Sequence, residues 1–272
     1  MPALIITLSV LLLFFIVWLI LVGTKKDKSL KKYASVRFAH RGLHGDGVAE
    51  NSMTAFRLAV EKGYGIELDV RLSKDGELVV FHDDTLTRVA NFDGLVKDYT
   101  VAQLKEMSLS GTADTVPTFR EALELVGGRV PLLVEIKEDA GDKAVSDKTA
   151  EVLAGYSGDY IVESFNPLSL ANIKKKLPGV RVGILSQNYM KEEKYRKPLF
   201  FALGAMLTNC TCRPSFIAYN GRDAHSVALR MIRFIFRPMT FAWTVRSAED
   251  EEKMRALGFD SVIFEGYIPE DK

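Results

Sequence analysis

The stretch "GIELDVRLSKDGELVVFHD", residues 65–83, holds two apolar runs, "GIELDV" (65–70) and "ELVVFHD" (77–83), with only a polar bend between them. The first is short, opened by a glycine and apolar on both sides, which predicts a strand buried on both faces. Glu67 and Asp69 interrupt it. Two residues apart in an extended chain, they point to the same face. The second run follows without room for a helix, so it is read as an excursion from the first strand rather than as the next parallel one. That reading sets the strand count of the fold.

Outward from this stretch the same kind of run recurs: "VRFAH" (36–40), "PLLVEIK" (131–137), "YIVESF" (160–165), "RVGILS" (181–186), "FIAYN" (216–220), "TFAWTV" (240–245) and "SVIFEG" (261–266). Amphipathic segments such as "SMTAFRLAVEKG", "TFREALELVGG", "PLSLANIKKKL", "DAHSVALRMIRF" and "SAEDEEKMRALG" lie between them, several opened by a Ser, Thr or Asp cap and closed by glycine. Alternating strands and helices imply a parallel sheet and an α/β class. Eight strands with the excursion set aside match a (β/α)8 TIM barrel in number and size. The rival, a doubly wound open sheet, usually carries a glycine-rich phosphate turn after its first strand, and "HRGLHGDG" lacks that spacing.

The start of the chain stands apart. "ALIITLSVLLLFFIVWLILVG", Ala3 to Gly23, is an uncharged apolar run long enough to cross a bilayer. It lacks the basic leader and small-residue cleavage site of a signal peptide, so it is read as a transmembrane anchor over residues 1–24. Lys25, Lys26, Lys28, Lys31 and Lys32 follow in a basic linker, 25–35. Positive flanks stay cytoplasmic, which expects a single-pass protein of the cell membrane with its catalytic domain, 36–272, in the cytoplasm. With 36 basic against 35 acidic residues the chain is no polycation, and no nucleic-acid partner is expected. Its two cysteines, Cys210 and Cys212 in "NCTCR", form neither a disulfide framework nor a zinc site and read as reduced. The basic stripe in "ALRMIRFIFRP" reads as the solvated face of an outer helix, with a membrane-surface role as the alternative.

In a parallel barrel, function collects at the carboxyl ends of the strands. His40 ends the first, Glu67 and Asp69 the second, His82 the excursion, and Glu135 and Lys137 the third. Carboxylates and a lysine in apolar strands are costly to bury without a countercharge, and all-oxygen ligands suit Mg²⁺ or Ca²⁺. A Glu–Lys ion pair is the competing explanation for any one pair. Two strand-end histidines beside such a cluster can divide acid and base work. His44 and His225 lack that context and read as loop and helix-surface residues. Phe165 and Trp243, at later strand ends, are candidates for an apolar pocket wall or for packing at the barrel top.

"HRG" (40–42), "ENSMTAF" (50–56), "GIELDVRLSKDGELVVFHDDTLTR" (65–88), "VPTFREAL" (116–123), "LLVEIK" (132–137), "ESFNP" (163–167) and "AWTV" (242–245), taken in order, resemble the glycerophosphodiester phosphodiesterase family. The resemblance implies a TIM barrel that hydrolyses glycerophosphodiesters to glycerol 3-phosphate and an alcohol. It further implies that Glu67, Asp69 and Glu135 hold the divalent cation and that His40 and His82 are the acid/base pair. Arg41 and Lys137 would grip the phosphate, with Glu50 and Asn51 shaping the site and Glu50 reaching the metal or orienting a histidine. Attack by water or by the glycerol hydroxyl is compatible with the same residues. The anchor raises a lysophospholipase D activity on membrane lysolipid as an alternative, and a catalytically inactive membrane-bound scaffold is the non-enzymatic one. At the last strand the family commonly has Asp then Pro; this chain has "FEGYIPE", with Glu265.

Overall fold

A computed structural model describes residues 2–139 and 141–269; the last three residues of the expected barrel domain lie outside it. Its strands are β1 (Arg37–Ala39), β2 (Gly65–Leu72), β3 (Leu78–Val80), β4 (Leu132–Ile136), β5 (Tyr160–Ser164), β6 (Val182–Ser186), β7 (Phe216–Asn220), β8 (Met239–Val245) and β9 (Ser261–Phe264). Their order is β1-β9-β8-β7-β6-β5-β4-β2-β3, and β1 also pairs with β2, which closes eight parallel strands into a barrel. The excursion β3 runs antiparallel on β2, outside the ring, as its missing crossover helix requires.

Side-chain alternation then sorts the residues into two environments. Ile66, Leu68 and Val70 of β2, Leu132 and Val134 of β4 and Val162 of β5 face outward into a cluster with helix residues such as Phe56, Phe119 and Ile173. Leu133, Ile161, Leu185, Phe216, Ala218, Phe241 and Ile263 face inward and fill the barrel. Phe216 stacks on Phe241 and Phe241 on Phe38, with ring centroids 4.9 and 5.7 Å apart. Gly183 makes room for this stack: a Cβ there would lie 2.0 Å from the Phe216 ring. Leu30 and Tyr33 complete the inner cluster from a short 3-10 turn, Lys28–Tyr33, capped by Asp27. The lysine-rich segment that reads as a linker therefore supplies part of the barrel floor.

A smaller apolar cluster built on Val79, Phe81, Leu86, Leu104 and Val116 organises the connection from β3 to the helix Phe119–Val126. That helix starts at a reciprocal cap in which Thr118 Oγ1 accepts from the Glu121 amide and the Glu121 carboxylate accepts from the Thr118 amide. The helix expected over "DAHSVALRMIRF" begins later, at Val227, because 221–223 form a 3-10 turn; His225 lies exposed in the turn ahead of it rather than on its surface. Two short helices, Pro198–Gly204 and Asn209–Cys212, occupy the β6–β7 connection, and both cysteines are free. The apolar N-terminal helix runs Pro2–Val22 and is exposed along most of its length.

Candidate active site

The inward face that carries Leu133 and Ile161 at mid-barrel carries Glu135 and Glu163 one pleat higher. Register places Asp69 beside Glu135 and Glu135 beside Glu163 on adjacent strands. Glu67, Asp69 and Glu135 each offer a carboxylate oxygen within 4.8 Å of the others, and all three are buried. Lys137 Nζ lies 2.6 Å from Glu135 Oε1 and 3.1 Å from Asp69 Oδ1, so the ion pair weighed from sequence is present. One ammonium does not balance the cluster. Burial, then the neighbouring charges of Asp69 and Glu135, push Glu67 far above the usual carboxylate range. Burial likewise lifts Glu135 to about 7, even though Lys137 opposes it. Asp69 goes the other way: against burial, Lys137, then Arg41 and the Asn51 amide, hold it ionised.

The loop after β1 is bent to aim its side chains. Arg41 and Asn51 have φ of 56° and 53°, in the left-handed region that costs non-glycine residues energy. Gly42, next after Arg41, has φ +79°, and a Cβ there would lie 2.8 Å from Ala55 Cβ. This is the physical reason for glycine in "HRG". The turn lets the Arg41 amide donate to Glu67 Oε2 at 2.8 Å while its guanidinium reaches Glu50 at 2.8 Å and approaches Asp69 at 3.6 Å. Asn51 Nδ2 donates to Asp69 Oδ2 at 2.8 Å. Glu50 does not reach the carboxylate cluster, contrary to one expectation. Its two oxygens are taken by Arg41 and by a forked pair from Arg88 at 2.7 and 2.8 Å, which hold it ionised against its burial. It steadies Arg41 instead.

Both expected histidines line the same cavity, of about 240 Å³, with Arg41, Glu67, Glu135, Lys137, Phe165 and Trp243. His40 uses Nδ1 on Glu265 and leaves Nε2 facing Glu67 Oε2 at 4.0 Å. His82 uses Nδ1 on Asp83 at 2.6 Å, and Arg88 holds the other Asp83 oxygen at the same distance. Burial lowers both imidazoles, His82 to about 4, so both are neutral near pH 7. A neutral ring whose Nδ1–H is donated to a carboxylate presents a basic Nε2. Phe165 and Trp243 meet edge to face, centroids 5.6 Å apart, on the apolar side of the cavity.

Sequence reasoning missed three participants. Glu163 is buried in the cavity wall, with burial and then Glu67 and Glu135 raising it well above the usual carboxylate range; its parity with Glu135 was the available signal. Glu265, met only as a departure at the last strand, is the partner of His40 and also pairs with Arg246; His40 and Arg246 hold it down to about 2 despite burial. His44 is not an uninvolved loop residue, since its Nε2 lies 3.9 Å from the same Glu265.

A buried acidic triad, two carboxylate-oriented histidines and two cations around one barrel-end cavity suit work on a phosphoryl group. The chain's relatives agree. Residues 40–266 match the model of the glycerophosphoryl diester phosphodiesterase family. A glycerophosphodiester phosphodiesterase of Bacillus altitudinis is 36% identical, the match covering 83% of this chain and 92% of that protein. One from Caldanaerobacter subterraneus is 32% identical over 83% and 91%. Among solved structures, the Thermotoga maritima glycerophosphodiester phosphodiesterase is 30% identical with a TM-score of 0.64, over 84% of this chain and 94% of that one. An Oleispira antarctica phosphodiesterase solved with the product sn-glycerol-3-phosphate is 24% identical with a TM-score of 0.70, over 84% and 92%, and shares the fold. Barrel, motif order and sequence coverage together make this chain a member of the glycerophosphoryl diester phosphodiesterase family.

Proposed function

We propose that this protein hydrolyses glycerophosphodiesters to glycerol 3-phosphate and an alcohol with the help of a divalent cation. The observation that carries the proposal is the crowding of the triad Glu67, Asp69 and Glu135: three buried carboxylates lie within 4.8 Å, and burial, then the neighbouring carboxylates, push two of them up. Such a set fits Mg²⁺ or Ca²⁺, hard cations that take oxygen ligands. When bound there, the ion would neutralise nonbridging phosphoryl oxygens as a Lewis acid.

The chain's own side chains do the rest. Arg41, fixed by Glu50, and Lys137 face the cavity as cations for the phosphate. His40 and His82, each with Nδ1 engaged, offer Nε2 for proton transfer: one, neutral, takes the proton of the attacking hydroxyl, and the other enters the step as an imidazolium and gives its Nε2 proton to the leaving alkoxide. Glu265 and Asp83 stabilise the imidazolium form of each ring, the product at the base and the reactant at the acid, as orienting carboxylates do. Phe165 and Trp243 form the apolar wall against which the glycerol or the alcohol rests. Product analysis on glycerophosphocholine, glycerophosphoglycerol and lysolipid, with and without chelator, tests the proposal. Glycerol 3-phosphate released only in the unchelated arm supports it, and full turnover by His40→Ala or Glu67→Ala would sink the site assignment.

The exposed apolar helix Ala3–Val22 has the length and hydropathy of a membrane span. We read it as an anchor, with the lysines after it keeping the barrel on the cytoplasmic side. This placement favours lysolipid as a second substrate class. Alkaline extraction of membranes, with protease access from either side, tests anchor and topology together.

A further inference from the structure

A crossing helix alone leaves open which way the barrel faces, and here the contacts of its last turns settle the direction. Val22 is fully buried, its carbonyl accepting from Asn209 Nδ2 at 3.1 Å, and the Lys25 amide donates to the Pro214 carbonyl at 2.8 Å. Asn209 and Pro214 precede β7, at the amino end of the barrel. Four residues earlier, Trp18 borders a cavity of about 600 Å³ together with Tyr189, Gly204 and Arg222. These belong to the connections that leave the carboxyl ends of β6 and β7, and Ser186 Oγ, at the end of β6, donates to the Leu203 carbonyl at 3.2 Å. The helix therefore climbs the barrel wall from the amino to the carboxyl end. Its exposed remainder departs past the carboxyl face, the face that holds the catalytic cavity.

A ledge stands on that face beside the departing helix. In "KEEKYRKPLFF", residues 191–201, Leu199 and Phe201 are 61% and 57% exposed, and Val227 nearby is 70% exposed. The ledge is packed from beneath: Tyr189, Tyr195 and Phe200 meet with centroids 4.7–5.6 Å apart. Four cations, Lys191, Lys194, Arg196 and Lys197, stand against Glu192 and Glu193, and Arg196 and Lys197 make no ion pair among the described residues. Exposed apolar tips among unpaired cations suit the boundary between acyl chains and anionic headgroups. Continuity with the helix supplies the bilayer at that height.

We propose that the catalytic mouth faces the bilayer and that residues 191–201 seat among anionic headgroups. The inference rests on the helix crossing the membrane. To test it, the full chain carrying Cys210→Ser is reconstituted in nanodiscs containing phosphatidylglycerol, with a fluorescent label on Phe201→Cys or, at the amino end, on Ser157→Cys. Cys212 is 2% exposed and stays unlabelled. A headgroup nitroxide lipid should quench the 201 label at least about threefold more than the 157 label, and Lys194→Glu with Lys197→Glu should erase most of the difference. Independently, amide exchange of 191–201 in the unsubstituted chain should slow in anionic relative to zwitterionic discs. Equal weak quenching at both positions in chains that have entered the discs overturns the proposal and leaves the crossing helix standing. Failure to enter the discs removes the helix reading and the proposal together. A 201 label that is shielded yet unquenched would point to a second copy of the chain on the ledge, and also overturns the proposal.

Discussion

The two ends of the barrel interior are built from the same strands and obey opposite rules. At the amino end and middle, Tyr33, Phe38, Leu133, Phe216 and Phe241 make a dry, stacked floor. One pleat further along, the same inward positions carry Asp69, Glu135 and Glu163, carboxyl groups that disfavour one another's ionised form. The floor gains from every contact it makes; the mouth is held at a cost, and the floor offsets that cost. Stability and chemistry are thus separated by position along a strand, and substitutions at the two ends should separate them too.

The largest effect is expected at the mouth. Glu67→Gln or His40→Ala should lower kcat/KM on a glycerophosphodiester by about 10²–10⁴-fold. Because Glu67→Gln also removes a repelled carboxyl, its thermal midpoint should hold or rise, which calorimetry can check. A parallel loss of stability would break the comparison. Glu163→Gln sharpens it: burial and then the neighbouring Glu67 and Glu135 already disfavour its ionised form, so its amide should leave the fold intact.

At the floor the pattern should invert. Tyr33→Ala, which opens the barrel's amino end, should cost about 3–5 kcal/mol in denaturant unfolding while folded enzyme keeps its kcat. Gly183→Ala adds a methyl where the Phe216 ring lies and should cost about 1–3 kcal/mol by overpacking. The smallest effect belongs outside both ends. Glu251 accepts from Arg37 and Arg255 at 2.8 Å and from Tyr267 at 3.0 Å; burial opposes its ionised form, and these partners hold it below the ordinary 4.5. A depressed carboxyl stabilises above its unfolded value and loses that contribution as pH falls through the folded one. Glu251→Gln should therefore be less stable than the parent at pH 7 by about 1 kcal/mol, and the gap should close below pH 4.5.

Local pattern was enough for much of this. Glycine-bounded apolar runs gave the strands, the missing crossover helix placed β3 outside the ring, and period-two spacing put Glu67 with Asp69 and Glu135 with Lys137. What escaped depends on contacts that only ring closure creates. His40 and Glu265 are 225 residues apart and meet because β1 and β9 are neighbours. Glu163 stood alone in its run, and the register of β4 on β5 is what sets it beside Glu135. Glu50 reads from sequence as reaching the metal or orienting a histidine, because Arg88, which shares it with Arg41, comes from the distant β3 connection. Leu30 and Tyr33 were hidden by the lysines around them.

Those two residues bear on where the chain can be cut. A soluble version of the enzyme trimmed to the first strand, at Val36, would discard the stopper of its own barrel, along with the Asp27 cap and its ion pair to Arg181. Trimming ahead of Asp27 keeps all of it. Expressed side by side, the shorter form should aggregate and the longer one should stay monodisperse, since only the longer keeps Leu30 and Tyr33 in the inner cluster.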